Sequence, residues 1–300
     1  MRLGNYCVQE LIEYSKENKS IWLLDGDLAD SYGADTYAKH FPDRFIMGGI
    51  AEQNLVSMAA GMASYNLSPW VFSFSSFLCF RAYDQIRSSV CQTASNVKLV
   101  GSHSGGFTGK NGQSHAALND IAIMCSLPQM QVWSPSQRDD VIYCIKQLIN
   151  YFGPSYVRLT REPLETINTY EEVDCCYWIT KPNKIVIVST GIGVHIALCV
   201  KDYLSRLGYE IGIYNCNLIA PFPIDIFKAA LLDNSTLFTL EDHYTFGGLG
   251  SILQHFNFNV TEKFGWPTTY TGKSGNFNDI LFSFDLNPEK IANKILKLIK

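Results

Sequence analysis

Short apolar runs alternate with stretches of helical periodicity along most of this chain. Ile21-Trp22-Leu23-Leu24-Asp25 is an apolar run that ends in turn residues, and helical spacing follows from about 52 to 65. Trp70-Val71-Phe72 is the next run, then a long helical stretch over about 77–93, then Val97-Lys98-Leu99-Val100. Helix signals return over about 115–124. Met130-Gln131-Val132-Trp133, a helix over about 137–150 and Ser155-Tyr156-Val157-Arg158-Leu159 complete the block. Strand runs that are apolar throughout are buried on both faces, which predicts a parallel sheet covered by helices.

The pattern breaks over 166–183, where Glu171-Glu172 and Lys181-Pro182-Asn183 read as a linker. A second block then repeats the alternation. Lys184-Ile185-Val186-Ile187-Val188 is a buried-strand run, and Gly191-Ile192-Gly193 opens a helix to about 207. Glu210-Ile211-Gly212-Ile213-Tyr214 and Thr236-Leu237-Phe238-Thr239-Leu240 are further strands, and Gly247-Gly248-Leu249-Gly250 opens another helix. The predicted class is α/β, with two doubly wound sheet domains at 1–165 and 184–300.

Composition adds exclusions. With 47% hydrophobic and 17% charged residues the chain reads as globular, and a net charge of -4 leaves no basic footprint for nucleic acid. No apolar run reaches the ~20 residues of a membrane span, and Met1-Arg2-Leu3-Gly4-Asn5-Tyr6 lacks a signal-peptide core. The nine cysteines form no Cys-x-x-Cys pair. An odd, scattered set fits reduced thiols, so a cytoplasmic protein is expected. Adjacent Cys175 and Cys176 fall in the expected linker.

In open parallel sheets, ligands bind beyond the carboxyl ends of the strands. Glu52 follows the glycine turn Gly48-Gly49 and opens a helix; alone it would be a carboxylate favoured by the helix dipole. Phe74-Ser75-Ser76-Phe77-Leu78-Cys79-Phe80 spaces three aromatics three apart, which on a helix would share a face. The glycine-rich stretch 101–115 is bounded by His103 and His115, with Ser114 placed to cap a following helix. A loop of this length calls for a reason, and histidines suit proton transfer or phosphate contact. Glu241-Asp242-His243 reads as a strand-end turn or an acid–base cluster. Asp25-Gly26-Asp27 followed by Asn54 has the wrong order for a Gly-Asp-Gly…Asn metal motif, so no metal site is expected on this chain.

Taken in order, these motifs resemble the C-terminal half of transketolases, and above all the smaller subunit of split, two-gene transketolases, over nearly the whole length. The resemblance rests on Asp27-Leu28-x-x-Ser31, Gly49-Ile50-Ala51-Glu52-Gln53-Asn54 and the Phe74, Phe77, Phe80 series running into Arg81-Ala82-Tyr83-Asp84-Gln85-Ile86-Arg87. It rests also on the histidine loop and on Glu241-Asp242-His243-x-x-x-Gly247-Gly248-Leu249-Gly250. It implies a pyrimidine-binding domain over 1–165 and a transketolase C-terminal domain over 184–300. It further implies a thiamine diphosphate enzyme that transfers a two-carbon ketol unit between phosphorylated sugars. The Mg2+ and diphosphate would be held mainly by a separate N-terminal subunit, in a two-plus-two heterotetramer.

The resemblance also implies roles. Glu52 would hydrogen-bond pyrimidine N1′ and favour the imino tautomer that deprotonates thiazolium C2. Phe74, Phe77 and Phe80 would enclose the aminopyrimidine, and Asp27 and Leu28 would lie near the thiazolium. His103 and His115 would join Glu52 in catalysis, His103 at the sugar phosphate and His115 at the first hydroxyls. Arg161, with Arg2 and Ser31, would complete the phosphate site. Where many transketolases carry Glu-Asp-Gly, this chain has Lys110-Asn111-Gly112, so the side chain at a sugar hydroxyl is Asn111, with donors as well as an acceptor. The alternative reading is a decarboxylating thiamine enzyme, similar to deoxyxylulose-phosphate synthase or to the beta subunit of a 2-oxo-acid dehydrogenase. A non-catalytic scaffold that kept the fold is the third.

Overall fold

Twelve strands form two sheets in the computed structural model, which describes residues 1–269, 274–284 and 286–300. The strands are β1 (Ile21–Asp25), β2 (Phe45–Met47), β3 (Ser68–Phe74), β4 (Lys98–Ser102), β5 (Gln131–Trp133), β6 (Ser155–Arg158), β7 (Cys176–Trp178), β8 (Ile185–Ser189), β9 (Gly212–Cys216), β10 (Leu218–Ala220), β11 (Thr236–Tyr244) and β12 (Val260–Trp266). The first sheet runs β10-β5-β6-β4-β3-β1-β2 and the second β12-β11-β8-β9-β7. Every pairing is parallel except β10 with β5 and β7 with β9. The class is therefore α/β with two sheets of mainly parallel strands.

The apolar runs are buried as expected. Leu23, Leu24, Val71, Phe72, Leu99, Tyr156 and Val157 are completely enclosed, each side chain of this size contributing about 1.5–3 kcal/mol of transfer free energy. Lys98 stands in the same position of β4 without being apolar. Its ammonium is buried and donates to the carbonyls of Tyr151 and Gly153, each at 2.8 Å. The helix Pro288–Ile299 shows the local rules at work. Pro288 occupies its first turn, the Asn287 side chain accepts from the amides of Glu289 and Lys290, and Ile291, Ala292 and Ile295 form the buried face. A cap of this kind is worth about 1 kcal/mol.

Three features depart from the expected elements. The segment read as a linker contributes β7 to the second sheet, with Cys176 opposite Cys216. Strand β10 returns from the second half of the chain to the edge of the first sheet, so the two sheets interlock. The helical stretch after β3 is not a regular α-helix: Phe77–Arg81 and Ile86–Cys91 are π-helical, with three α-helical residues, Tyr83–Gln85, between them. Such i→i+5 turns are rare and are frequent at functional sites. Among the described residues no helix is long and apolar enough to cross a membrane.

Candidate active site

The strand order reverses between β1 and β3: the chain leaves β1 for β2 on one side and then returns to lay β3 on the other. In a sheet of this kind the carboxyl edge at such a reversal is the natural ligand crevice. Residues just beyond β1, β2, β3, β4 and β6 meet there.

Glu52 is the first residue of the helix Glu52–Ala63 and is fully buried. One oxygen accepts from Ser73 Oγ at 3.1 Å, and the other accepts from Arg81 Nη1 at 2.7 Å. A buried carboxylate needs such partners, and each bond to the charge is worth roughly 1.5–3 kcal/mol. The Arg81 guanidinium also lies 4.5 Å from the centre of the Phe77 ring.

Phe74 ends β3 and Phe77 opens the π-helical turn; their rings stack at 5.7 Å. His103 faces Phe74 at 4.0 Å, and His115 meets Phe77 and Phe74 edge-on at 5.2 and 5.8 Å. Glu52, Phe74, Phe77, His103 and His115, drawn from four separate segments, thus form one cluster. His103 has positive φ at the end of β4 and is buried. Burial, helped by the charges of Arg161, Arg2 and His115, pushes its pKa down to about 3. The imidazole is neutral at any working pH, with Nδ1 3.2 Å from Ser102 Oγ.

Two arginines stand near enough to His103 to lower its pKa. Arg161, just past β6, donates to the Thr108 carbonyl at 3.1 Å. Gly109, at φ +65°, lies so close to that guanidinium that a Cβ there would overlap it. Arg2 donates to the Ser31 carbonyl at 3.1 Å. Lys110 and Asn111 are exposed in the 3-10 turn Gly109–Asn111.

Several expectations need correction. The three phenylalanines do not share a helix face, because Phe74 is in a strand and the π-helical turn is wider than an α turn. Phe80 is 45% exposed and lines a cavity of about 730 Å³ with Gln113, Ser114 and Tyr244. Ser114 caps no long helix; its hydroxyl lies 2.9 Å from His115 Nδ1, and the next helix is Asp120–Cys125. Asp27 is exposed with φ +68°, beside half-buried Leu28. The adjacent Asp25 is buried and accepts from the Leu28 amide at 2.8 Å and from the Tyr32 hydroxyl, so it builds the turn after β1. Glu241 is buried too, accepting from the amides of Leu249 at 2.6 Å and Gly250 at 3.0 Å. Ser73 and Arg81, the direct partners of Glu52, were not predicted. The period-two position of Ser73 in an apolar strand was the available signal. Among the described residues no group of three or more His, Cys, Asp or Glu side chains is arranged to hold a metal ion.

Comparison with known proteins agrees with the two-sheet fold. The family model for the transketolase pyrimidine-binding domain matches residues 1–166, and that for the transketolase C-terminal domain matches 178–291. The chain is 34% identical to a putative transketolase C-terminal section of Methanocaldococcus jannaschii, over 97% of this chain and 94% of that one. It is 30% identical to a 6-deoxy-6-sulfo-D-fructose transketolase subunit of Clostridium sp. (strain MSTE9), covering 83% of this chain and 78% of the relative. A solved split-gene transketolase, described as an inactive β4 tetramer, superposes with a TM-score of 0.86 at 27% identity, covering 99% of this chain and 98% of that one. A Pichia stipitis transketolase shares the fold at 20% identity and a TM-score of 0.85, with this chain spanning 46% of it.

Proposed function

The chain belongs to the transketolase family, and on that premise we propose that it is the pyrimidine-binding subunit of a two-chain, thiamine diphosphate-dependent enzyme that transfers a two-carbon ketol unit between phosphorylated sugars. The observation that carries the reading is the buried Glu52 carboxylate at the sheet's switch point, set beside stacked Phe74 and Phe77 and two histidines. These residues fit an aminopyrimidine, which needs a hydrogen-bonding carboxyl at one ring nitrogen and aromatic faces against its plane. When bound, the cofactor supplies the nucleophilic carbon and the electron sink.

This chain's side chains do the rest. Glu52 holds the ring and manages the proton at N1′, kept in place by Ser73. Phe74 and Phe77 exclude water and offer stacking worth about 0.5–1.5 kcal/mol per pair. Neutral His103 and, beside it, His115 face the space above the aromatic wall, where both hydrogen-bond sugar hydroxyls. Arg161, with Arg2, supplies positive charge for a phosphate group, and Asn111 meets a hydroxyl. Asp27 and Leu28 would face the thiazolium end of the cofactor.

The diphosphate and its Mg2+ are assigned mainly to a partner subunit, in a two-plus-two assembly. The similarity to split transketolase subunits, one of them described as an inactive β4 tetramer, supports this. Glu52→Gln tests the reading. Combined with the partner chain, thiamine diphosphate and magnesium, the variant should lose about 10²–10⁴-fold in turnover of a ketose phosphate donor. Unchanged turnover would remove Glu52 from the chemistry, and turnover of pyruvate alone would favour a decarboxylating enzyme instead.

A further inference from the structure

Asp242, His243 and Tyr244 close β11 in the second sheet, yet each holds a backbone group of the histidine loop, the turn after it or the helix Asp120–Cys125. Asp242 Oδ1 accepts from the Gly106 amide at 2.8 Å and also from Trp266 Nε1 at 2.6 Å. His243 Nδ1 lies 2.8 Å from the Tyr244 carbonyl, which makes it the N–H nitrogen. That leaves Nε2 to accept from the Ala122 amide at 3.3 Å. The Tyr244 amide donates to the Leu118 carbonyl at 2.7 Å. Three consecutive residues of one domain thus fasten positions 106, 118 and 122 of the other.

The contact is close as well as polar. Gly105 has φ +74°, and a Cβ there would overlap the Asp242 carboxylate. Gly106 lies against the Trp266 indole in the same way, and Phe107 packs on Trp266 at 5.4 Å and on Phe277 at 4.6 Å. Arg158 Nη2 donates to the Asp242 carbonyl at 2.6 Å and so fixes the strand end itself. Asp242 and His243 are 1% and 0% exposed.

We propose that Asp242, supported by His243, is a positioning residue: the second domain uses it to hold the loop between His103 and His115 in register with Phe74 and Phe77. The proposal rests on the functional reading above and gives the C-terminal domain a part in the reaction without contact with substrate. A carboxylate suits the task because one oxygen can take two N–H donors at once. Loop placement matters to rate because an error of about 1 Å can cost roughly 10²-fold.

The test has two arms, so that this proposal and the functional reading fail separately. In the isolated chain, Asp242→Ala should speed amide exchange across 104–118 about 10–100-fold, the equivalent of one hydrogen bond to a charged group, while 185–215 stays unchanged. Gly105→Ala, which pushes the loop off the carboxylate from the other side, should do the same. With the partner chain and the donor used for Glu52→Gln, Asp242→Ala should lower kcat by up to about 10²-fold with the KM for thiamine diphosphate unchanged. Asp242→Asn, which keeps the Oδ1 acceptor, should restore both readouts. Unchanged exchange at 104–118, faster exchange spread equally over 185–215, or full kcat in Asp242→Ala would each overturn the clamp. Full turnover in Glu52→Gln would overturn the functional reading while the exchange result still decided the clamp.

Discussion

Replacing Arg158 by Met should cost this protein more than any surface charge could. Arg158 is 2% exposed and its partner Asp120 is fully buried. The guanidinium Nε lies 3.1 and 2.9 Å from the two Asp120 oxygens, and Nη2 donates to the Asp242 carbonyl. Without it Asp120 keeps its own helix start and the Tyr156 hydroxyl at 2.8 Å, too little for a charge removed from water. Breaking a buried pair from one side costs about 3–5 kcal/mol. At about 2 °C per kcal/mol for a chain of this size, that is roughly a 6–10 °C drop in Tm. Adding Asp120→Leu removes the stranded carboxylate, so the double variant should recover most of the loss. Thermal unfolding of the wild type, both single variants and the double variant at low and high salt reads all of this. A buried pair is screened weakly, so salt should leave the difference intact. A loss under about 1 kcal/mol, the scale of an exposed pair, or a loss that salt halves, would refute the reasoning.

Two further outcomes follow from buried or converging charge. Burial pushes the Lys98 ammonium down to about 7, whereas an unfolded Lys titrates near 10.4. Between those values the unfolded chain binds more protons, so stability should rise with pH by up to about 1.4 kcal/mol per unit. Urea unfolding at pH 7 and 9 should show this rise in the wild type and a flatter line in Lys98→Met; equal slopes would count against it. Arg161→Met should raise the KM of a phosphorylated donor about 10–100-fold, as for a lost hydrogen bond between charges, and leave that of hydroxypyruvate unchanged. Equal effects on both donors would take Arg161 away from the phosphate.

Most of the two-sheet architecture was legible because buried parallel strands leave continuous apolar runs such as Ile21–Asp25 and Ile185–Ser189. Among the strands, what escaped was short or lay at an edge. β7 and β10 have three residues each, and β7 sits among residues whose Glu-Glu and Lys-Pro-Asn flanks read as linker. The π-helical turns escaped because over five or six residues their apolar spacing is indistinguishable from that of an α-helix. That spacing is why Phe74, Phe77 and Phe80 read as sharing one helix face. The Asp242 clamp escaped for a different reason: Asp242 and Gly106 are 136 positions apart, and no local pattern links them.

The same π-helical turn accounts for the partner of Glu52 that the sequence hid. A five-residue turn begun at Phe77 brings Arg81 back over the ring that starts it, 4.5 Å from its centre. From there one arm reaches a carboxylate 29 positions away that is closed to water. The Arg81 side chain remains 44% exposed while that of Glu52 is 0% exposed, so the two ends of the pair are not equivalent. Water can solvate the guanidinium if it moves; nothing but protein or ligand can satisfy the carboxylate. Ser73, buried on the other side, fixes one Glu52 oxygen in either case. A hydrogen-bonding ring that reached Glu52 would therefore compete with a half-exposed cation rather than with a buried one.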